Sequence, residues 1–441
     1  MFRVEGGPLD EPTAGDRLSM ADAVKGSIAT SPALQAALAR VRIAMADAEQ
    51  ARLLPNPVLN LVLRWGAGAP QVEVSLAQDL VAAMKIPNRA SAADNRLRQS
   101  AADAVTEALD VVSEVQETYA AAQASDALIP VLERQAELLV KIAGIARHRL
   151  DAGEGVRSDV TTLDSQRVGL EVALADARLQ SREQRLRLAR LVGEPSGAAA
   201  WALDPWTPPT VDRAGEAEWV DAALARRPEV QAIAWELAAL GDDEALTRFL
   251  PWDGAGLGID AQKDPDWAVG PSIATPVPIF DMGQAAKARV AAQQAEARHR
   301  LTRAKREVVE SVRSAHVALR AHLANLARVR QEFIPLEEQR RREAEDAYRA
   351  GQTDVTPLFL AEQGVSVAQA KAIEVERETT LARIRLERAV GGPGAAPALA
   401  RGAPDAPRAA DAPIARAAPD PRSALHATAT LLRPSTASAR P

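Results

Sequence analysis

The chain has 441 residues, a net charge of −6 and no cysteine, which excludes disulfides, zinc–thiolate sites, a thiol nucleophile and a lipidated cysteine. Lys and Arg are interleaved with Asp and Glu as on solvated helix faces, so no phosphate-backbone footprint and no nucleic-acid partner is indicated. Abundant alanine and only 3% aromatic residues favour long helices packed through small side chains over a thick globular core.

Residues 1–17 read as a loose lead-in, with neither the basic stretch nor the apolar stretch of a signal peptide. A helix begins near Leu18, breaks at Ser31-Pro32 and resumes to about Leu54, where Pro55 and Pro57 force extended backbone. Alternation then predicts strands over about 58–65 and 71–77: Leu59, Leu61 and Leu63 share one face, and Val72, Val74 and Leu76 alternate with Gln71, Glu73 and Ser75. After Pro87 a helical pattern runs to about Leu150, with a kink expected at Pro130. A tight tip at about 151–157 leads into a returning helix to Val192, whose Leu163, Leu170 and Ala177 fall seven apart as in coiled-coil packing.

Residues 193–226 read as an irregular connector, after which the chain repeats itself at a distance just under two hundred residues. Pro32, Gln35, Asp47, Arg52 and Pro55 match Pro228, Gln231, Asp243, Arg248 and Pro251, and Ala152-Gly153 matches Ala350-Gly351. That period is too long for a solenoid unit and suits a duplicated half. The repeats are 18–192 and 227–392, the second with strands at about 253–260 and 268–275 and a tip at about 350–356. From 393 to 441 an Ala/Pro/Arg mixture without periodicity reads as a disordered tail.

No apolar run approaches the roughly 18 residues of a spanning helix, so any membrane crossing must use strands. Four strands cannot close a barrel, because small barrels need about eight and lipid does not tolerate an open edge. Several copies must therefore pool strands, and three would supply twelve. The fold class is thus mainly α with a small β part: duplicated long helical hairpins plus four transmembrane strands per chain. Trp65, Trp252 and Trp267 stand at strand ends, where interfacial aromatics belong, although caps on a soluble core are the plainer alternative.

Asp281 is the expected N-cap of the second long helix. The five histidines show no i, i+4 pair, so no metal site is assigned, and Arg340-Arg341-Arg342 reads as a wet helix face. Without a Gly-rich phosphate loop, nucleophile elbow or HExxH motif, no enzyme and no cofactor is expected.

The segments LLPNPVL from Leu53, HRLDAGEGVRSDV from His148, VGPSIATPVPIFDMGQA from Val269 and AYRAGQ from Ala347, in two repeats, resemble the outer membrane efflux protein family. The resemblance covers about 18–392. It implies a homotrimer with a twelve-stranded barrel in outer-membrane lipid and a helical tunnel in the periplasm. Such a trimer is a passive exit duct that docks a periplasmic adaptor protein and an inner-membrane pump. On that reading Gly153, Gly155, Val156 and Asp159, with Gly351, Thr353, Asp354 and Val355, form the adaptor-docking tips. Pro357 replaces Asp159 in the second repeat, so the two tips are expected to differ. The competing expectation is a soluble coiled-coil scaffold, which would have no use for the alternating segments.

Overall fold

The computed structural model describes residues 17–65, 70–206, 215–263, 266–353 and 355–392. It opens with a short strand, β1 (Arg17–Leu18), and helix α1 (Met20–Thr30). The Ser19 hydroxyl caps α1 by accepting from the Asp22 amide at 3.1 Å. Ser31 does the same for α2 (Pro32–Ala51), accepting from the Leu34 amide at 3.3 Å, with Pro32 in the first turn where its missing amide is not needed.

Strands β2 (Val58–Arg64) and β3 (Gln71–Asp79) form an antiparallel hairpin. Asp79 ends β3 and caps α3 (Leu80–Asp151) by accepting from the Ala82 amide at 2.8 Å, so a strand passes into a 72-residue helix without a loop. Pro87 and Pro130 both lie inside α3, where the sequence suggested a start and a kink. Each proline removes one ladder bond, and packing of α3 against α2, α4, α6 and α9 holds the helix continuous through both. Helix α4 (Arg157–Val192) returns along α3 and ends at Gly193, φ 94°. A Cβ there would lie 2.5 Å from the Thr30 hydroxyl oxygen, so this junction with α1 needs glycine for space as well as for conformation.

Strand β4 (Ala202–Leu203) pairs in parallel with β1. Helices α5 (Glu216–Arg226) and α6 (Pro228–Thr247) follow, then a 3₁₀ turn at Leu250–Trp252, β5 (Gly256–Lys263) and β6 (Trp267–Ala274). Helix α7 (Gln284–Arg328) continues through a π-helical turn at Val329–Phe333 into α8 (Ile334–Arg349). That wide turn directly precedes Pro335, whose missing amide frees the ladder to re-register. Helix α9 (Val355–Val390) completes the described chain. The stretch 193–226, expected to be irregular, therefore carries β4 and α5.

The duplication preserves the lengths of the paired helices. Helices α1 and α5 stand 196 residues apart at both ends, as do α2 and α6, and α4 and α9 stand 198 apart. Gly391 lies over the Arg226 carbonyl as Gly193 lies over Thr30, so the same junction is built twice.

Apolar clusters are strung along the helices instead of forming one centre. Trp219, Val230, Val312, Leu386 and Val390 join α5, α6, α7 and α9, while Leu18, Val115, Tyr119 and Leu188 join β1, α3 and α4. The Tyr119 hydroxyl donates to the Leu18 carbonyl and accepts from the Asp204 amide, both at 2.8 Å, binding the β1–β4 strap to α3.

Candidate channel wall and helical tips

The long sheet has the order β2-β3-β5-β6, all antiparallel, with β2 and β6 as its edges. Its register places Leu59, Leu76, Ile259 and Pro271 in one row and Leu61, Val74, Ala261 and Val269 in the next. With Leu63, Val72, Leu257 and Ile273 these make one apolar face, interrupted by Lys263 and Gln78 toward its two ends. The opposite face carries Asn60, Arg64, Glu73, Ser75, Asp260, Gln262 and Ser272, with Val58, Val62 and small residues between them. Across it Asn60 donates to the Ser75 hydroxyl at 3.4 Å, and Arg64 meets Glu73 at 3.1 Å.

No residue of this sheet is among the buried hydrophobics of the described chain; Leu61 is 60% exposed and Ile273 75%. An apolar face of four strands open to water would be costly at about 25 cal/mol per Å². Lipid on that face and water on the other satisfy both. Trp65 and Trp267 stand at the end of the sheet away from the helices, and Trp252 at the end where the strands enter them; all three are exposed. They thus flank the apolar band from both sides.

Below the sheet the long helices pack in the order α4, α3, α9, then α7 and α8. At the ends of that row, α4 packs beyond α3 chiefly on α1, and α7 packs beyond α9 on α5 and α6, among the described residues. On α4, Val172, Leu179 and Leu186 fall seven apart and are exposed, with Val168 one turn before them. This second stripe lies beside the one that uses Leu163 and Ala177 toward the core.

The two tips share one backbone design. Amides of Ala152, Gly153 and Glu154 donate to carbonyls of His148, Leu150 and Arg149 at 3.0, 3.0 and 2.9 Å. Those of Ala350, Gly351 and Gln352 donate to Asp346, Tyr348 and Ala347, each at 3.0 Å. Gly153 (φ 78°) and Gly351 (φ 66°) supply the left-handed residue that this closure requires.

The side chains are not symmetrical. Gly155, Val156 and Asp159 line a hollow of about 230 Å³ together with Arg149, Ile142 and Phe359. Phe359 belongs to α9, so the hollow lies between the first tip and the second hairpin. Gly153, Gly351 and Thr353 are not part of its lining, Asp354 lies outside the described residues, and Val355 is the first residue of α9. Phe359 and Arg149 were missed from the sequence, although a lone phenylalanine near a tip in a chain so poor in aromatics was a usable signal.

Asp281 needs correcting. The cap residue of α7 is Gly283, in the left-handed region at φ 74°. The Asp281 carboxylate accepts from the Gly283 amide at 2.8 Å, two residues ahead of the helix's first turn, and the Gln284 side chain accepts from the Met282 amide at 2.8 Å. Asp281 therefore shapes the turn into α7, because the loop after β6 is long enough to place it before the cap. Asp79 is the aspartate that caps a long helix directly.

A sheet with one apolar and one polar face, continued by long helical hairpins, is the architecture that this chain shares with known proteins. Residues 24–194, the first repeat, match the family described as outer membrane efflux protein. The solved structure of VceC from Vibrio cholerae, described as an outer membrane protein, is similar at TM-score 0.70 and 16% identity, covering 85% of this chain and 96% of that one. MtrE from Neisseria gonorrhoeae, an outer membrane channel in its open state, is similar at TM-score 0.68 and 15% identity, with 85% and 89% covered. CmeC from Campylobacter jejuni, also an outer membrane channel, gives 0.67 and 14%, with 85% of each chain covered. No curated protein sequence matches. The chain thus matches the outer membrane efflux protein family over its first repeat and shares the fold of these solved structures over most of its length.

Proposed function

We propose that three copies of this chain close into a channel through the outer membrane that extends into the periplasm. The observation that carries this is the four-stranded sheet with one apolar face and two free edges: lipid accepts such a face but not such edges. Three sheets edge to edge, β6 of one copy against β2 of the next, give twelve strands. β3, with nine residues, spans about 31 Å at ~3.4 Å per residue, or about 23 Å of height at the ~40° tilt of barrel strands, near the ~25 Å apolar band of outer-membrane barrels.

The helices support the same closure. The row that begins with α4 and ends with α7 and α8 becomes a ring when the exposed α4 stripe of one copy meets the next copy's α7. α7 offers a groove there, lined by Thr302, Val309, Ser314 and Val317. With α3 about 108 Å long at 1.5 Å per residue, the ring becomes a tunnel.

The duct conducts solutes passively from a periplasmic adaptor and inner-membrane pump to the exterior. The tips around Gly155, Val156 and Asp159 are the adaptor-facing surface. The solved structures that it resembles are described as outer-membrane channels, which supports this reading.

Membrane fractionation followed by light scattering of the purified protein tests it. A detergent-extracted trimer from the outer-membrane fraction is expected. A monomer or dimer that stays soluble without detergent would overturn the proposal.

A further inference from the structure

The polar face of the sheet bears few charges. Asp79, at its base, is engaged in capping α3, and Arg64 and Glu73 pair with each other at 3.1 Å. Lys263 lies on the apolar face in register with Trp267, so it offsets nothing on the polar side. Asp260 remains. It stands midway up the sheet in the row Asn60, Ser75, Asp260, Gly270, and it has no hydrogen bond or ion pair among the described residues. Its neighbour on β6 has no side chain, and Gly258 and Ser272 sit in the row below, so nothing bulky stands over the carboxylate.

We propose that Asp260 makes the barrel lumen select for cations. This rests on the threefold channel reading, under which three copies set three unpaired carboxylates at one height around the axis. A ring of like charge enriches counter-ions and repels co-ions. Its field reaches about one Debye length, about 10 Å at 0.1 M salt and about 3 Å at 1 M. In a lumen twelve strands wide, selectivity therefore belongs to low ionic strength and fades in concentrated salt. The substrate consequence is that neutral and cationic solutes pass the barrel more readily than anionic ones.

The test is the reversal potential of the full chain in planar lipid bilayers under a KCl gradient, measured at low and at high mean salt. The wild type is expected to be cation-selective at low salt. Asp260→Asn should lower the cation-to-anion permeability ratio several-fold, and Asp260→Lys should reverse its sign. Glu73→Gln, which leaves Arg64 unpaired, should also shift the potential toward anions while Asp260 is intact. A conducting Asp260→Asn channel with an unchanged reversal potential would overturn this inference and leave the channel reading standing. A wild-type protein that inserts but does not conduct would overturn the channel reading, and this inference with it. If Asp260→Asn fails to insert, Asp260→Ser gives the same comparison on a smaller neutral side chain.

Discussion

Phe359 of the second repeat packs beside Leu163 of the first, in one cluster with Leu139, Ile142 and Ala143, and is only 4% exposed. The residue equivalent to Phe359 in the first repeat is Thr161, so this contact exists once per chain and ties the second hairpin to the first near their tips.

Phe359→Ala removes that wedge from a closed cluster. Large-to-small changes at such sites cost about 3–5 kcal/mol. The expected outcome is faster amide exchange over residues 139–163 with little change around the sheet, read by hydrogen–deuterium exchange. Unaltered protection in that segment would show that the wedge does not hold the hairpins together.

At the tips, Gly155 approaches the backbone so closely that a Cβ would lie 2.8 Å from the Leu150 amide nitrogen. Gly155→Ala must displace the turn, whereas Thr353→Ala at the equivalent second-repeat position should be nearly neutral. Gly153→Ala and Gly351→Ala meet no atoms but force a left-handed alanine, about 1–2 kcal/mol each. Limited proteolysis of the four variants should therefore cut the first tip most readily in Gly155→Ala. Equal cleavage of Gly155→Ala and Thr353→Ala would contradict the asymmetry.

Tyr119→Phe leaves the Leu18 carbonyl and the Asp204 amide without their partner in a buried place, a loss of about 1–3 kcal/mol. Burial also pushes the Tyr119 hydroxyl above its ordinary pKa, with the Asp204 amide bond opposing. The fold thus favours the neutral phenol: that stability is fully present below the unfolded pKa and is lost as pH rises through the folded one. Thermal midpoints of the wild type should fall in strong alkali, and those of Tyr119→Phe should start lower and fall less steeply. Parallel pH curves would remove this link.

The two faces of the sheet are separable by adjacent residues. Leu61→Arg puts a cation into lipid at a cost of about 2–4 kcal/mol at mid-depth, whereas Asn60→Arg faces water. Refolding into liposomes, followed by gel shift against urea, should show destabilisation in Leu61→Arg alone. Equal losses at both positions would mean that the faces are assigned wrongly.

Most of this architecture is local in origin and was legible in the chain itself. The alternation of Leu59, Leu61 and Leu63 with Asn60 and Val62 is a property of consecutive residues, and it announces a strand with two solvents. The tip glycines mark a left-handed residue between two helices, and the repeat at just under two hundred residues announces two hairpin pairs. Asp281 was misjudged because capping depends on where the chain leaves the loop, and the sequence does not state how many residues the loop after β6 takes. Pro87 was misjudged as the start of the helix because a single proline's local penalty competes with packing along a whole helix.

By itself, then, the sequence determined the element types, the duplication and the amphipathic strands, since these follow from spacing along one chain. Only the tertiary structure decided that α9 lies between α3 and α7, that Phe359 enters the first hairpin, that the two sheet edges and one apolar stripe of α4 are uncovered, and that Asp260 has no hydrogen bond or ion pair among the described residues. These depend on which distant residues meet, and a periodic helix or strand offers many faces and registers of similar energy until packing selects one.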